Sequence, residues 1–185
     1  MTLVDEIAKY AERYNVPSHV ALAVAKTESN NTMPALRYEP AYKYLWDNAN
    51  NRPFRGLSAD EVASPRAPKG FAGSALSWAW YCSADTEWQM QKVSWGPFQI
   101  MGAVLRENGY IDPFPRLCCD ESLAALWGCR HLSMLKDRYY QKHGWTGVVA
   151  AYNAGRPRMQ GGKYVNQDYV NKVARNGATG FVHIA

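Results

Sequence analysis

Apolar residues recur at intervals of three and four along most of the chain, the spacing that places them on one face of an α-helix. The alternation typical of a half-buried strand is scarce. The pattern predicts helices at residues 3–14, 98–107, 121–142, 145–153 and 167–175, and a further short helix after Ser18. The sequence therefore predicts a mainly α protein.

Local signals mark several of these helix ends. The first helix is predicted to end at Val16-Pro17 and to bury one face, which consists of Val4, Ile7, Ala8, Ala11 and Tyr14. Asn108-Gly109 is a typical end for the helix predicted at 98–107. The Pro- and Gly-rich stretch 49–72 has loop composition, but a capping box at Ser58–Glu61 predicts one helical turn within it.

The second helix carries an acid on its apolar face. Ser18 is its predicted N-cap, and Ala21, Val24, Ala25 and Glu28 follow at helical spacing. Burial raises the pKa of a carboxyl group, and an acid that keeps its proton near neutral pH can serve as a general acid. The alternative is a helix-end glutamate that reaches solvent or pairs with a cation.

Composition limits the class of protein. The 185 residues fit one domain, and 47% hydrophobic and 13% aromatic residues indicate a globular chain. No stretch is long enough for a membrane-spanning helix, so no membrane insertion is expected. The net charge of +5 favours an anionic partner such as a cell-wall polymer or nucleic acid, and it is too small to discriminate between the two. Nucleic-acid binding is a poor alternative, because the basic residues are scattered and match no recognition motif.

The cysteines predict neither a metal site nor a disulfide framework. Cys82, Cys118, Cys119 and Cys129 contain no C-x-x-C pair, and a bridge between adjacent cysteines would be strained. Free thiols are therefore expected, with a bridge from Cys82 to the 118–129 region left open. No metal and no cofactor are expected.

Three further segments carry polar groups beside helices. Gly96 precedes a predicted helix whose first turn holds Gln99, and Ala151–Gly155 places Tyr152 and Asn153 at the end of another helix. Tyr169 lies on a short helix near the C-terminus. Each has an ordinary alternative, namely a helix cap, a helix stop and a core tyrosine.

In this order, Glu28-Ser29, Gly96–Ile100, Ala151–Gly155 and Tyr169 resemble the motifs of the lytic transglycosylases, the SLT-domain relatives of goose-type lysozyme. The motifs span most of the chain. The resemblance implies a single catalytic domain over 1–185 with a lysozyme-like fold. The segment 35–40, ALRYEP, is similar to phage and prophage members of the family.

The resemblance also implies roles for the matched residues. Glu28 would be the catalytic acid and base, and Tyr169 would orient it. Tyr152 would lie near the Glu28 carboxylate, and Gln99 would bind the sugar. The substrate-binding set would be Ser29, Gly96, Gln99, Ile100, Tyr152, Asn153 and Tyr169. Within that set, Gly96 would let the backbone approach the sugar, and Ser29 would support the helix end.

The chain departs from compact family members in the long segment between the first two motifs. Residues from about 30 to 95 are expected to form an insertion or side lobe beside the cleft. Trp78, Trp80 and Trp88 in this segment would either stack on sugar faces or pack the core of the lobe itself.

The reaction implied is cleavage of the β-1,4 bond between N-acetylmuramic acid (MurNAc) and N-acetylglucosamine (GlcNAc). The matched motifs supply one acid, which favours a substrate-assisted reaction that gives a 1,6-anhydro product. The alternative is a hydrolytic muramidase with a second carboxylate. Glu39 is the best candidate for it, although an ion pair with Arg37 or another cation is the favoured explanation of that residue, and Asp47, Asp85 and Glu87 stay open.

A non-catalytic virion or wall-binding protein is a second class. The acidic, amphipathic stretch Met1–Glu6 does not resemble a secretory signal peptide. A phage product would be made in the host cytoplasm and act in the periplasm or cell wall, after holin release or as a virion component. The expected partners are peptidoglycan glycan strands and, for a virion component, other virion proteins.

Overall fold

The computed structural model describes residues 1–73 and 82–180, and helices dominate these ranges. The α-helices are α1 (Leu3–Arg13), α2 (Ser18–Ser29), α3 (Ala59–Ala63), α4 (Ala84–Gln91), α5 (Gly102–Glu107), α6 (Glu121–Ala154) and α7 (Gln167–Val173). The strands are β1 (Leu36–Tyr38), β2 (Trp46–Asp47), β3 (Arg52–Pro53), β4 (Val93–Trp95), β5 (Ile100–Met101), β6 (Met159–Gln160) and β7 (Lys163–Tyr164). A 3₁₀ turn covers Phe114–Cys118 and a π-type turn covers Ala174–Ala178. The predicted mainly α class is confirmed.

The main core lies where α1, α2, α6 and α7 pack together. Val20 and Val24 of α2 and Leu132 and Val148 of α6 belong to this core, and all four side chains are fully buried. Removing such apolar surface from water is the main force that holds the helices together. The packing of this core also fixes the end of α2 against α6 and α7.

Helix α6 is the longest element, and it bends at Gly144. This glycine has φ 59° and ψ −166°, a conformation that separates two helical parts. The parts match the helices predicted at 121–142 and 145–153. Within residues 1–73 and 82–180, neither α6 nor any other helix combines the length and apolar character needed to cross a membrane.

One predicted helix start and one predicted buried face are wrong in detail. Ser18 is the first residue of α2, Pro17 is the N-cap, and no side chain caps the helix. On α1, Val4 and Ala8 are exposed, because the helix turns a neighbouring face to the core. The buried face consists of Leu3, Glu6, Ile7, Tyr10 and Ala11. The capping box at Ser58–Glu61 is confirmed.

The largest correction concerns the helix predicted at 98–107. Strands β4 and β5 form an antiparallel hairpin here, with β1 on the other side of β4, and α5 begins only at Gly102. Gly96 and Gln99 have φ values of 66° and 48°, in the left-handed region that a right-handed helix excludes. Gln99 therefore lies in the turn of a hairpin and not in the first turn of a helix.

The segment from about 30 to 95 contains a second, smaller core. It consists of the buried residues Leu45, Phe71 and Trp88 of this segment together with Ala103 of α5. Trp88 is fully buried, meets the Phe71 ring edge-on at 5.2 Å, and donates its indole N–H to the backbone oxygen of Ser64 at 3.1 Å. Trp88 thus packs this core and does not face a sugar. Trp78 and Trp80 lie outside the described residues.

A buried ion pair anchors this smaller core to α5. Glu87 and Arg106 are both fully buried, and Arg106 donates from Nε at 2.8 Å and from Nη2 at 3.2 Å to the two carboxylate oxygens. Asn48 and Gln91 also donate to Glu87. Burial acts to raise the pKa of Glu87, but its bond to Arg106 and the Arg106 charge outweigh that effect, so the pKa is lowered.

No disulfide joins the four cysteines to one another. Cys82 and Cys129 are buried, Cys118 is half-buried and Cys119 is exposed. The bridge from Cys82 to the 118–129 region, left open by the sequence, is therefore not formed.

Candidate active site

Glu28 lies in the last turn of α2, at the end of its buried apolar face. Ala21, Val24 and Ala25 precede it on that face and are fully buried, whereas Glu28 is half-buried. The helix ends shortly afterwards, because Asn30 adopts a left-handed backbone with φ 56°. Glu28 is thus held on a rigid element with its carboxylate at the edge of the core.

Helix α7 brings a tyrosine to this carboxylate. The Tyr169 hydroxyl donates to Glu28 Oε1 at 2.6 Å. On the same helix, Lys172 Nζ donates to the backbone oxygen of Thr27 at 3.3 Å, so α7 is tied to the end of α2 at two points. The arrangement fixes one carboxylate oxygen and leaves the other available to a ligand.

The surroundings of Glu28 favour its protonated form. Burial is the largest influence and raises the pKa of the carboxyl group. The hydrogen bond from Tyr169 and the positive charges of Arg37 and Lys172 act in the opposite direction, but the pKa stays above its ordinary value. Glu28 can therefore keep its proton to a higher pH than an exposed glutamate.

Tyr152, on the second part of α6, is the other phenol near Glu28. Its hydroxyl donates to the backbone oxygen of Phe98 at 2.5 Å, which ties α6 to the hairpin turn. Burial and the nearby Glu28 charge raise the pKa of Tyr152 well above its ordinary value, and the same causes act on Tyr169. Both phenols are neutral donors at any working pH.

The hairpin turn between β4 and β5 is locked by side-chain hydrogen bonds. Ser29 Oγ donates to the backbone oxygen of Pro97 at 2.9 Å. Gln99 Nε2 donates to the backbone oxygen of Gly96 at 2.8 Å, and Gln99 Oε1 accepts from Ser94 Oγ at 2.8 Å. Ser29 thus ties the end of α2 to the turn that presents Gln99.

Gly96 is required by the packing of this turn. A Cβ at this position would clash with the backbone oxygen of Leu117, and φ 66° is itself unfavourable for other residues. The space that the glycine leaves is therefore occupied by the 3₁₀ turn, not by room for a sugar.

A cleft of about 430 Å³ opens in front of Glu28. Four further residues of the predicted set line it: Gln99, Ile100, Tyr152 and Asn153. Three residues of the predicted set do not line the cleft but contact the residues that form its walls: Ser29, Gly96 and Tyr169. The structure therefore brings the four sequence motifs together around a single cleft, and it separates those that line the cleft from those that support it.

Asn153 connects the cleft to the loop before α7. Its Oδ1 accepts from Asn166 Nδ2 at 3.0 Å, and Asn166 Nδ2 also donates to the backbone oxygen of Ala150 at 3.0 Å. Asn153 is exposed, so its amide group remains accessible from the cleft.

Glu39 lines the cleft on the side of β1. Arg37 Nε lies 2.5 Å from Glu39 Oε1, so the two form the ion pair that the sequence allowed as the alternative role. Arg37 also lines the cleft, and its charge acts on Glu28. The cleft thus contains a second carboxylate, already paired with a cation.

The three other candidate carboxylates do not line the cleft. Asp47 accepts from the backbone and side chain of Asn50. Asp85 accepts from the backbone nitrogen of Ala67 at 2.8 Å, and Glu87 is buried with Arg106. Glu39 is the one carboxylate of the four that the structure brings to the cleft of Glu28.

His131 is a cleft residue that the sequence did not reveal. It lies on the first part of α6, and its ring meets Tyr152 edge-on with centroids 5.2 Å apart. Burial, and to a smaller extent the charge of Arg138, lowers the pKa of His131 to about 4. A histidine within a helix carries no motif, so only the tertiary packing of α6 could identify it.

The cleft continues into a second lobe of about 380 Å³. The two lobes share the wall residues Tyr42, Met101, Val104, His131, Tyr152 and Asn153. The second lobe extends past Tyr44 and Arg138, towards the end of α6 at Gly155. The two lobes together form a groove that runs from Glu28 to the end of α6.

No family model, curated protein or solved structure matches this chain. Within residues 1–73 and 82–180, no group of three or more His, Cys, Asp or Glu side chains is arranged to hold a metal ion. The functional interpretation therefore depends on the geometry and chemistry of the cleft together with the sequence motifs.

Proposed function

We propose that this protein is a peptidoglycan lytic transglycosylase with a lysozyme-like fold, cleaving the MurNAc-β-1,4-GlcNAc bond. The observation that carries the proposal is the 2.6 Å hydrogen bond from Tyr169 to Glu28 at the edge of a cleft lined by Gln99 and Tyr152. Four short motifs, far apart in sequence, meet around that carboxylate. A groove of two adjoining lobes and the net charge of +5 suit an anionic polymer such as the cell wall.

In the first step, protonated Glu28 gives its proton to the glycosidic oxygen. The bond from MurNAc C1 to that oxygen breaks and the GlcNAc-terminated strand leaves. The carbonyl oxygen of the 2-acetamido group of MurNAc bonds to C1 and stabilises the positive charge. The raised pKa of Glu28 serves this step, because the acid must hold its proton near working pH.

In the second step, ionised Glu28 takes the proton from the C6 hydroxyl of MurNAc. O6 then bonds to C1, the bond between C1 and the acetamido oxygen breaks, and the 1,6-anhydro ring is complete. No water is consumed, and Glu28 regains its proton. Tyr169 holds the carboxylate in place through both steps, since its neutral hydroxyl donates to the same oxygen.

Product analysis tests the proposal directly. Purified peptidoglycan is incubated with the protein and the soluble muropeptides are analysed by mass spectrometry. Anhydro-muropeptides, lost on Glu28→Gln substitution, support it. Undiminished activity of Glu28→Gln would overturn the catalytic role of this residue and favour a non-catalytic virion or wall-binding protein.

A hydrolytic muramidase is the second candidate, favoured by the position of Glu39 in the same cleft. A second carboxylate could activate water, and the product would then carry a reducing-end muramic acid. Glu39→Gln separates the two reactions. The transglycosylase would retain most of its activity, whereas a hydrolase that relies on Glu39 as a base would lose about 100-fold or more.

The resemblance to phage and prophage proteins supports a role in lysis or in entry through the wall. The protein would be made in the host cytoplasm and reach peptidoglycan after holin release or as part of a virion, where other virion proteins would be partners. Adding purified protein to whole cells, with and without permeabilised membranes, tests whether such a release step is required.

A further inference from the structure

His131 stands where the two lobes of the groove meet. It lines both lobes, as does its ring partner Tyr152. A ligand that extends from Glu28 into the second lobe must therefore pass this histidine. None of the steps assigned to Glu28 and Tyr169 uses it.

The hydrogen bond between Asn108 and the His131 ring defines which ring nitrogen carries the proton. The Nδ2 amide of Asn108 lies 3.4 Å from His131 Nδ1. An amide nitrogen can only donate, so Nδ1 is the acceptor and the proton of the neutral ring is on Nε2. Nε2 has no hydrogen-bond partner within residues 1–73 and 82–180. His131 thus presents one uncommitted N–H donor at the wall of the groove.

The neighbourhood keeps the ring in this neutral form. Its burial and the charge of Arg138 both oppose a second proton, and the packing against Tyr152 fixes the ring plane. The Tyr152 hydroxyl is already committed to the backbone oxygen of Phe98 and does not compete for the same acceptor. A fixed, neutral donor suits a neutral acceptor oxygen.

We propose that His131 is a substrate-binding residue that donates from Nε2 to a neutral oxygen of the glycan, a sugar hydroxyl or an N-acetyl carbonyl, between the two lobes. Since the acceptor would belong to the glycan, this role rests on the function proposed above. It adds a contact remote from the carboxylate that would help to hold the strand in register.

Binding by a catalytically disabled protein tests this role. The parent for this test is the Glu28→Gln protein, which keeps His131. Tetra-N-acetylchitotetraose is titrated by calorimetry into this parent and into the same protein with His131→Phe or His131→Gln added. Phenylalanine keeps a ring against Tyr152 but lacks the donor, and is expected to weaken binding about 3- to 10-fold, the effect of one neutral hydrogen bond. Glutamine places an N–H close to the position of Nε2 and is expected to restore binding to within about twofold.

His143→Phe is the matched control, because His143 lies on the same helix beside Tyr164 and does not line either lobe. It should leave binding unchanged. Equal binding by His131 and His131→Phe would overturn the proposal, and so would an equal loss in His131→Phe and His131→Gln or no binding by the parent. Failure of peptidoglycan cleavage with intact, His131-dependent binding would overturn the proposed function alone.

Discussion

Tyr169 donates to Glu28 Oε1 at 2.6 Å, although 141 positions separate the two residues in sequence. The bond opposes the effect of burial on the same carboxyl group, since it stabilises the ionised form while burial disfavours it. The pKa of Glu28 is therefore a balance between two features that can be altered separately.

Tyr169→Phe removes the hydrogen bond and keeps the aromatic packing. The pKa of Glu28 should rise further, because the interaction that lowered it is lost while burial remains. The reaction starts from protonated Glu28, so the limb of kcat/KM that falls at alkaline pH should move to higher pH. Loss of orientation should also reduce kcat by roughly 10- to 100-fold.

The measurement is a pH profile of peptidoglycan solubilisation. Tyr164→Phe provides the control, since Tyr164 lies beside His143 and makes no contact with Glu28. An alkaline limb that stays in place in Tyr169→Phe would contradict the balance described above.

Glu28→Gln should change stability in a pH-dependent way. The folded-state pKa of Glu28 is raised, so the folded protein binds this proton more tightly than the unfolded chain. The stabilisation that comes from this tighter proton binding is complete at pH values below the pKa of Glu28 in the unfolded chain. It is lost as the pH rises through the pKa of Glu28 in the folded protein. The variant has no such titration, so its stability relative to the parent should increase from pH 4 to pH 8.

Thermal unfolding of both proteins across this pH range provides the test. A difference in Tm that is constant with pH would mean that Glu28 has the same pKa in the folded and unfolded chains. It would then lack the raised pKa that the proposed mechanism requires.

The sequence predicted the parts of the site that depend on local pattern. The apolar face of α2 carries Glu28, and the two parts of α6 meet near Gly144 as the helical spacing indicated. The β4–β5 hairpin was missed because Phe98, Ile100 and the residues that follow also fit helical spacing. The left-handed backbone of Gln99 depends on the packing of the turn, which a sequence pattern does not record.

The contacts that the sequence could not predict all join distant segments. His131 meets Tyr152 only because α6 bends at Gly144, and Arg106 reaches Glu87 only after α4 and α5 pack together. Such pairs depend on tertiary geometry, and neither residue of a pair is unusual in its own segment.

Gly96→Ala should destabilise the protein and reduce its activity together. The new Cβ would clash with the backbone oxygen of Leu117 at a positive φ, so the turn that presents Gln99 must shift. A loss of about 2 kcal/mol or more in unfolding free energy is expected. Gly56→Ala is the control, because nothing lies within 4 Å of a Cβ there. Equal effects of the two substitutions in urea unfolding and muropeptide release would contradict this role.

Removing one partner of the Glu87–Arg106 pair should lower the free energy of unfolding by a large amount. Arg106→Met leaves the fully buried Glu87 carboxylate without its cation, which is expected to cost about 3–5 kcal/mol. Glu87→Met together with Arg106→Met removes both charges and should recover part of that loss. Recovery stays incomplete, because the backbone oxygens of Tyr110 and Asp112 also lose their donor. Urea unfolding of the parent and of the two variants measures these differences.

The pH dependence of the same pair has a defined sign. The folded-state pKa of Glu87 lies below its ordinary value, so the pair stabilises the protein at pH values above that ordinary value. The contribution is lost as the pH falls through the folded-state pKa, where Glu87 takes up a proton. As the pH falls below about 5, the parent should therefore lose stability more steeply than the double variant. Parallel stability curves for the two proteins would show that Glu87 and Arg106 are not coupled in the folded chain.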